Sequence, residues 1–192
     1  FHPSHREEWK AAHHDRVISM VERDKNSPSI IMWSLGNESG VGENQEKMSA
    51  YIKSRMPGAM IHCEDASRRL WNPNTKPGAI KDAGKYTGNY ELDWYDVSSR
   101  MYPGFGEMAE YLTDKKYTKP YFLCEYCHAM GLGPGDLKQY WDVIYANDHF
   151  FGGCVWEFID HSVTIDVNGK KGYTYGGDFD DHPNDGNFCV DG

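Results

Sequence analysis

Ser29-Ile30-Ile31-Met32-Trp33-Ser34-Leu35-Gly36-Asn37-Glu38-Ser39-Gly40 opens as an unbroken apolar run and closes on a turn that carries a carboxylate. An apolar run from Ser29 to Leu35 that does not alternate reads as a strand buried on both faces, which is the habit of a parallel sheet. Working outward, Asn26-Ser27-Pro28 forces an extended turn before it. Upstream, Trp9, Val17, Met20 and Val21 recur at roughly helical spacing over residues 5–23. Downstream, Met48, Tyr51 and Ile52 fall on one side of a helix over 42–56.

The same alternation continues. Strands are expected at 59–63, 94–98, 120–124 and 151–159, with helices at 105–112 and 136–146, the latter placing Leu137, Tyr140, Trp141 and Ile144 on one face. Residues 66–85, rich in Asn, Pro, Gly and Lys, read as a long surface loop that includes Trp71, and 160–192 read mostly as turns. Strand and helix in alternation, joined by short connections, predict right-handed βαβ units and an α/β fold. An open sheet and a closed (β/α)8 barrel both satisfy that pattern. No glycine-rich phosphate fingerprint follows any strand, which counts against a nucleotide-binding sheet. Five strands are too few for a barrel of eight, so the barrel reading makes residues 1–192 the later part of one. The start at Phe1 and the stop at Gly192 in mid-pattern lead to the same expectation of a segment from a longer protein.

The chain of 192 residues has a formal net charge of −9 and no Lys/Arg cluster, which makes it a poor candidate for binding a phosphate backbone or an anionic membrane. No apolar stretch approaches the roughly 20 residues of a membrane helix. Aromatic content is high at 14%. That fits rings packing on sugar faces and fits a large core equally well. Five cysteines, odd in number, predict reduced thiols rather than a disulfide framework. The Cys124-x-x-Cys127 pair has no second such pair to complete a zinc site.

Glu38 and Glu125 each close an apolar run, so each carboxylate is expected where a parallel strand opens into a loop. Two carboxyls at such mouths serve glycoside hydrolysis, one as acid and one as nucleophile. They would equally bind a metal or form ordinary salt bridges. Asn37 beside Glu38 offers an amide to a sugar hydroxyl, and His128 lies three residues beyond Glu125. Tyr102, Trp156 and Phe188 are aromatic residues near strand ends or the chain's end.

These stretches resemble a known family. Trp33 to Gly40 is similar to the acid/base signature of the bacterial β-galactosidases of glycoside hydrolase family 2, and Cys124-Glu125-Tyr126-Cys127-His128-Ala129-Met130-Gly131 to their nucleophile signature. Phe151 to Glu157, Tyr175 to Phe179, Asn184-Asp185 and Phe188-Cys189 follow in the family's order. The resemblance implies part of a catalytic TIM barrel in a larger multidomain, retaining β-galactosidase acting on lactose-like substrates. Glu38 would be the acid/base and Glu125 the nucleophile. Asn37 would bind the 2-hydroxyl, Tyr102 would support Glu125, His128 would contact galactose hydroxyls and Trp156 would floor the sugar. It further implies Mg²⁺ at Glu38, with the other ligands outside this chain, and Na⁺ at the Phe188 carbonyl and Asp191. Family-level partners are the remaining domains of the parent and copies of it in a homo-oligomer, in the cytoplasm. Val41, Cys127, Leu132 and Asp191 depart from the family's usual residues, and Asp191 adds charge to the implied sodium site. β-Glucuronidases and β-mannosidases share the two-glutamate scheme, but Cys124-Glu125-Tyr126 with His128-Ala129-Met130 favours a galactosidase. The alternative from another class is a segment that binds carbohydrate or packs on its neighbours without turning substrate over. On either reading the segment alone is expected to be inactive.

Overall fold

The structure is a computed structural model and describes residues 3–68, 91–188 and 190–192. Trp71 and most of the expected loop over 66–85 lie outside the described residues. The elements are α1 (Lys10–Asp24), β1 (Trp33–Ser34), α2 (Glu43–Arg55), β2 (Ile61–His62), α3 (Glu64–Arg68), β3 (Ser98–Met101), α4 (Phe105–Thr113), β4 (Tyr121–Tyr126), α5 (Leu137–Tyr145), β5 (Phe150–Val155), β6 (Val163–Val167) and β7 (Lys170–Thr174).

β1 pairs in parallel with β2, a single parallel bridge between His62 and Val97 leads to β3, and β3, β4 and β5 continue in parallel. Five strands thus follow one another in chain order, the arrangement that curls into a barrel. Among the described residues the arc does not close: no strand pairs β5 back to β1.

Alternation along the strands sorts the two faces. Trp33, Leu35, Ile61 and Cys63 pack with Val17 and Val21 of α1 and Met48 and Ile52 of α2, which makes their face the helix side. Further along the arc Tyr121, Leu123 and Tyr126 pack with Met108 and Tyr111 of α4 and Ile144 of α5. Tyr111 stacks on Tyr121 and on Tyr117 at centroid distances of 4.2 and 4.5 Å. Gly153 lets β5 approach this core, because a Cβ there would sit 3.0 Å from Leu123 Cβ and from the Tyr126 ring.

The opposite, concave face is partly polar. Ser34 Oγ lies 2.8 Å from His62 Nδ1, and His62 Nε2 lies 2.6 Å from Ser99 Oγ. The Ser99 side chain also bonds Cys124, so four side chains link β1 to β4 across the inside of the arc. Burial lowers the pKa of His62 to about 4 and pushes the Cys124 thiol up to about 12. Both are therefore neutral at pH 7. Cys63, Cys124, Cys127 and Cys154 are free thiols, as expected.

Four expectations need correction. The first strand pairs only over Trp33–Ser34 rather than 29–35, and it is not buried on both faces, since Ile31 is 69% exposed. The fifth runs over Phe150–Val155 and stops short of 159, leaving Phe158 and Ile159 exposed. The third strand runs over Ser98–Met101 rather than 94–98. Leu92 and Tyr95 are buried but enter the core as loop; contact with β2 begins where the Asp96 N–H reaches the Ile61 carbonyl at 2.8 Å, and the ladder to β4 where the Ser98 N–H reaches the Pro120 carbonyl at 3.0 Å. The tail beyond 160 is not all turns: β6 and β7 form an antiparallel hairpin around Asn168-Gly169, whose φ angles are 54° and 76°. Among the described residues no helix is long and apolar enough to cross a membrane.

Candidate active site

Both glutamates lie at the C-terminal end of the parallel strands, as expected, but their settings differ. Glu38 sits in the loop after β1 with φ +48°, a left-handed conformation that costs a non-glycine residue roughly 1 to 2 kcal/mol. The loop can turn so sharply because Gly36 has φ +134°, and a Cβ there would sit 2.8 Å from Ser39 Oγ. Asn37 and Glu38 are both exposed.

Glu125 lies inside β4 instead of beyond it. Against β3, Arg100 faces Leu123 and the next residue, Met101, faces Glu125. Against β5, Leu123 faces Gly153 and Tyr126 faces Val155, three steps on one strand for two on the other. Both neighbours thus report one extra residue in β4, a β-bulge at Cys124-Glu125. Leu123 and Tyr126 both face the helices, which leaves Cys124 and Glu125 together on the concave side. In a regular strand the residue after Cys124 would point into the helix layer. The bulge turns it to the mouth.

Tyr102 follows β3 with φ +47°, and its N–H donates to the Glu125 carbonyl at 2.8 Å. Its phenol donates to the Glu125 carboxylate, and burial together with that carboxylate raises the phenol's pKa. Cys127, just beyond Glu125, has φ +49°. Non-glycine residues in the left-handed region therefore mark the exits of β1, β3 and β4, the sort of local strain that gathers at functional mouths.

The remaining expected residues form one cluster beside Tyr102. The His128 ring lies 5.8 Å from that of Tyr102 and 5.3 Å from that of Phe188. Its Nδ1 accepts the Met130 N–H at 3.4 Å and its Nε2 faces Asp191 Oδ2 at 3.4 Å, so both ring nitrogens are taken. Trp156 continues the ladder past β5, accepting the Ala129 N–H at 2.9 Å and donating its own to the Tyr126 carbonyl at 3.0 Å. The indole Nε1 donates to Asp191 Oδ2 at 3.2 Å. Asp191 is 1% exposed, and its Oδ1 is buried without a hydrogen-bond partner. Burial, then contact with Asp191, raises the pKa of the neighbouring Glu157.

These observations test the implied cations. The unpartnered Asp191 Oδ1 has the chemistry of a sodium ligand, and Phe188 lies against the same cluster. Magnesium does not fit the described residues taken alone: Glu38 Oε1 faces the Arg68 guanidinium at 3.3 Å, and no three His, Cys, Asp or Glu side chains among them converge on one point.

Glu64, Asp65 and Arg68 of α3 were not singled out by the sequence. Asp65 Oδ2 accepts the Gly40 N–H at 2.8 Å, and Arg68 spans Glu64 Oε1 at 2.9 Å and Glu38 Oε1 at 3.3 Å. Glu64 is 1% exposed, and burial pushes its carboxyl up to about 7 against the pull of Arg68. The available signal was the one that marked the other glutamates: Glu64-Asp65 directly follows an apolar strand. A groove of about 700 Å³ between α1 and α2, lined by residues such as His13, His14 and Lys47, lies on the helical outside and includes none of these residues.

Comparison with known proteins bears on this arrangement. A family model described as "Glycosyl hydrolases family 2, TIM barrel domain" matches residues 2–192. The beta-galactosidase large subunit of Latilactobacillus sakei is 40% identical over 192 residues, covering 99% of this chain and 28% of that protein. The beta-galactosidase of Staphylococcus xylosus is 41% identical over 180 residues, covering 93% of this chain and 17% of that protein. That of Priestia megaterium is 38% identical over 192 residues, covering 99% and 16%. The chain thus spans between 16 and 28% of the length of these relatives.

Proposed function

The chain belongs to glycosyl hydrolase family 2, within its TIM barrel domain, and from that premise we propose that it carries the two catalytic carboxylates of a retaining β-galactosidase. Similarity to proteins named beta-galactosidase supports the substrate class. The activity is that of the complete enzyme, of which this segment supplies the acid/base and the nucleophile.

The observation that carries the reading is the bulged, tyrosine-bound Glu125. A nucleophilic carboxylate must be ionised and aimed, and the Tyr102 phenol donates to its charged form. Glu125 attacks the anomeric carbon while Glu38 protonates the departing glycosidic oxygen, leaving a galactosyl ester on Glu125. Glu38, now a carboxylate, takes a proton from water, which attacks the same carbon and releases Glu125. Retention requires the carboxyls about 5 to 5.5 Å apart.

Asn37, exposed next to Glu38, would hydrogen-bond the 2-hydroxyl, and Trp156 would floor the sugar. With both nitrogens engaged, His128 serves as a fixed wall of the pocket before it serves as a donor. Asp191 and the Phe188 carbonyl would hold a sodium ion, which would supply a positive charge for the sugar's hydroxyls. A magnesium ion at Glu38 would need ligands from elsewhere in the complete enzyme.

Treating the complete enzyme with a 2-fluoro galactosyl fluoride traps the ester, and peptide mass spectrometry locates it. The label is expected on Glu125. A label on any other residue removes the nucleophile assignment.

A further inference from the structure

α3 begins two residues after β2, so it emerges at the same end of the sheet as Glu38. It is anchored there, because Ser67 Oγ accepts the Ser99 N–H of β3 at 3.0 Å. From this anchored helix two side chains reach the loop after β1. Asp65 holds the Gly40 N–H at 2.8 Å, two residues beyond Glu38, and Arg68 Nη2 reaches Glu38 Oε1 at 3.3 Å. The same Nη2 lies 3.2 Å from the sulfur of Met101, the residue paired with Glu125 across the β3–β4 ladder. Arg68 is held in turn by Glu64, whose buried Oε1 accepts from Nε at 2.9 Å. A guanidinium that engages two carboxylates through different nitrogens uses a rigid fork that a lysine lacks.

Building on the assignment of Glu38 as the acid/base, we propose that Asp65, Arg68 and Glu64 form a clamp that positions it for proton transfer. Asp65 fixes the backbone just past a residue in a left-handed conformation. Arg68 steadies the Glu38 carboxyl through one of its oxygens. Glu64 keeps Arg68 in place from beneath. None of the three touches the reacting atoms, so all act through Glu38 as positioning residues. Displacement of a catalytic group by about 1 Å is enough to cost on the order of 100-fold in rate.

The test uses the complete enzyme and two substrates. Lactose needs a proton on its departing glucose, whereas a dinitrophenyl β-galactoside does not. Arg68→Gln and Asp65→Ala are expected to lower kcat/KM for lactose by about 10- to 100-fold and to change that for the dinitrophenyl galactoside by less than about threefold. The affinity for galactose as a competitive inhibitor should be unchanged. Arg68→Lys should show most of the Arg68→Gln loss, because it keeps the charge without the fork. Asp65→Asn, which keeps an acceptor oxygen for Gly40, should stay near wild type. Equal losses on both substrates, or no loss on lactose, overturn the clamp. Glu38→Gln run in parallel separates the two layers of argument. If it too fails to distinguish the substrates, the acid/base assignment falls and the clamp with it; if it distinguishes them and the α3 variants do not, the clamp alone falls.

Discussion

The two glutamates are held by different means. Glu125 is part of a strand paired on both sides, and its position follows from the ladders to β3 and β5. Glu38 stands on a loop whose hold comes from side chains: Asp65 on Gly40 N–H and Arg68 on its own carboxyl. A backbone ladder cannot be removed by changing one side chain, whereas a side-chain hold can. That division suits the proposed chemistry. The nucleophile acts at one carbon from one place, while the acid/base must give a proton to one oxygen and later take one from another.

The comparison is broken most severely at Glu125. Glu125→Gln keeps the shape and the Tyr102 contact but removes the attacking charge, and activity is expected to fall by about 10⁴-fold or more, the scale seen when a nucleophile is removed from a catalytic set. Steady-state assay of the complete enzyme checks this, with unchanged thermal unfolding showing that the ladder remains. Tyr102→Phe should cost less. Losing one charge-assisted hydrogen bond is worth about 1.5 to 3 kcal/mol, or roughly 10- to 100-fold in kcat/KM.

The smallest effect sharpens the contrast by probing the edge that carries the Glu38 loop. His62 is held near pKa 4, below its usual value, so its contribution is present above about 6.5 and is lost as pH falls toward 4. Glu64, raised to about 7, behaves oppositely: its contribution is complete below about 4.5 and is lost as pH rises through 7. Between pH 4.5 and 6.5 the two trends oppose. Protection of the Leu35 amide, which donates to the His62 carbonyl at 3.1 Å, reports on this edge by hydrogen exchange. Glu64→Gln should leave a protection that falls on acidification, and His62→Asn one that falls as pH rises. Slopes unchanged in both variants would remove these residues as its pH determinants.

Much of the fold was legible because apolar runs and helical stripes are local. The run at Tyr121 to Cys124 marked β4 and the Leu137–Ile144 stripe marked α5, whereas the run from Ile30 located β1 but overstated it, since only Trp33 and Ser34 pair. The stretch Trp94 to Ser98 misled because buried side chains do not require a paired backbone: Leu92 and Tyr95 fill the core before pairing starts. The hairpin at Asn168-Gly169 carried a strong local turn signal, which the surrounding Gly, Asp and Asn masked. At the site, Glu38 and Glu125 could be read from their neighbours. Arg68 could not, since its meaning depends on a contact made across 30 residues of chain.

The bulge at Cys124-Glu125 has a consequence for how this region can vary. Glu125 itself apart, side chains there can be exchanged one position at a time, but segment length cannot change. Removing a single residue between Leu123 and Tyr126 would restore a regular strand and a tidy alternation of faces. It would also exchange the outward and inward sets from that point on, so that either the glutamate or Tyr126 ends on the wrong side. A more regular strand here would be a worse enzyme. The irregularity is therefore a counting constraint, one that comparison by residue similarity alone would pass over and that a gap of one in this stretch would expose at once.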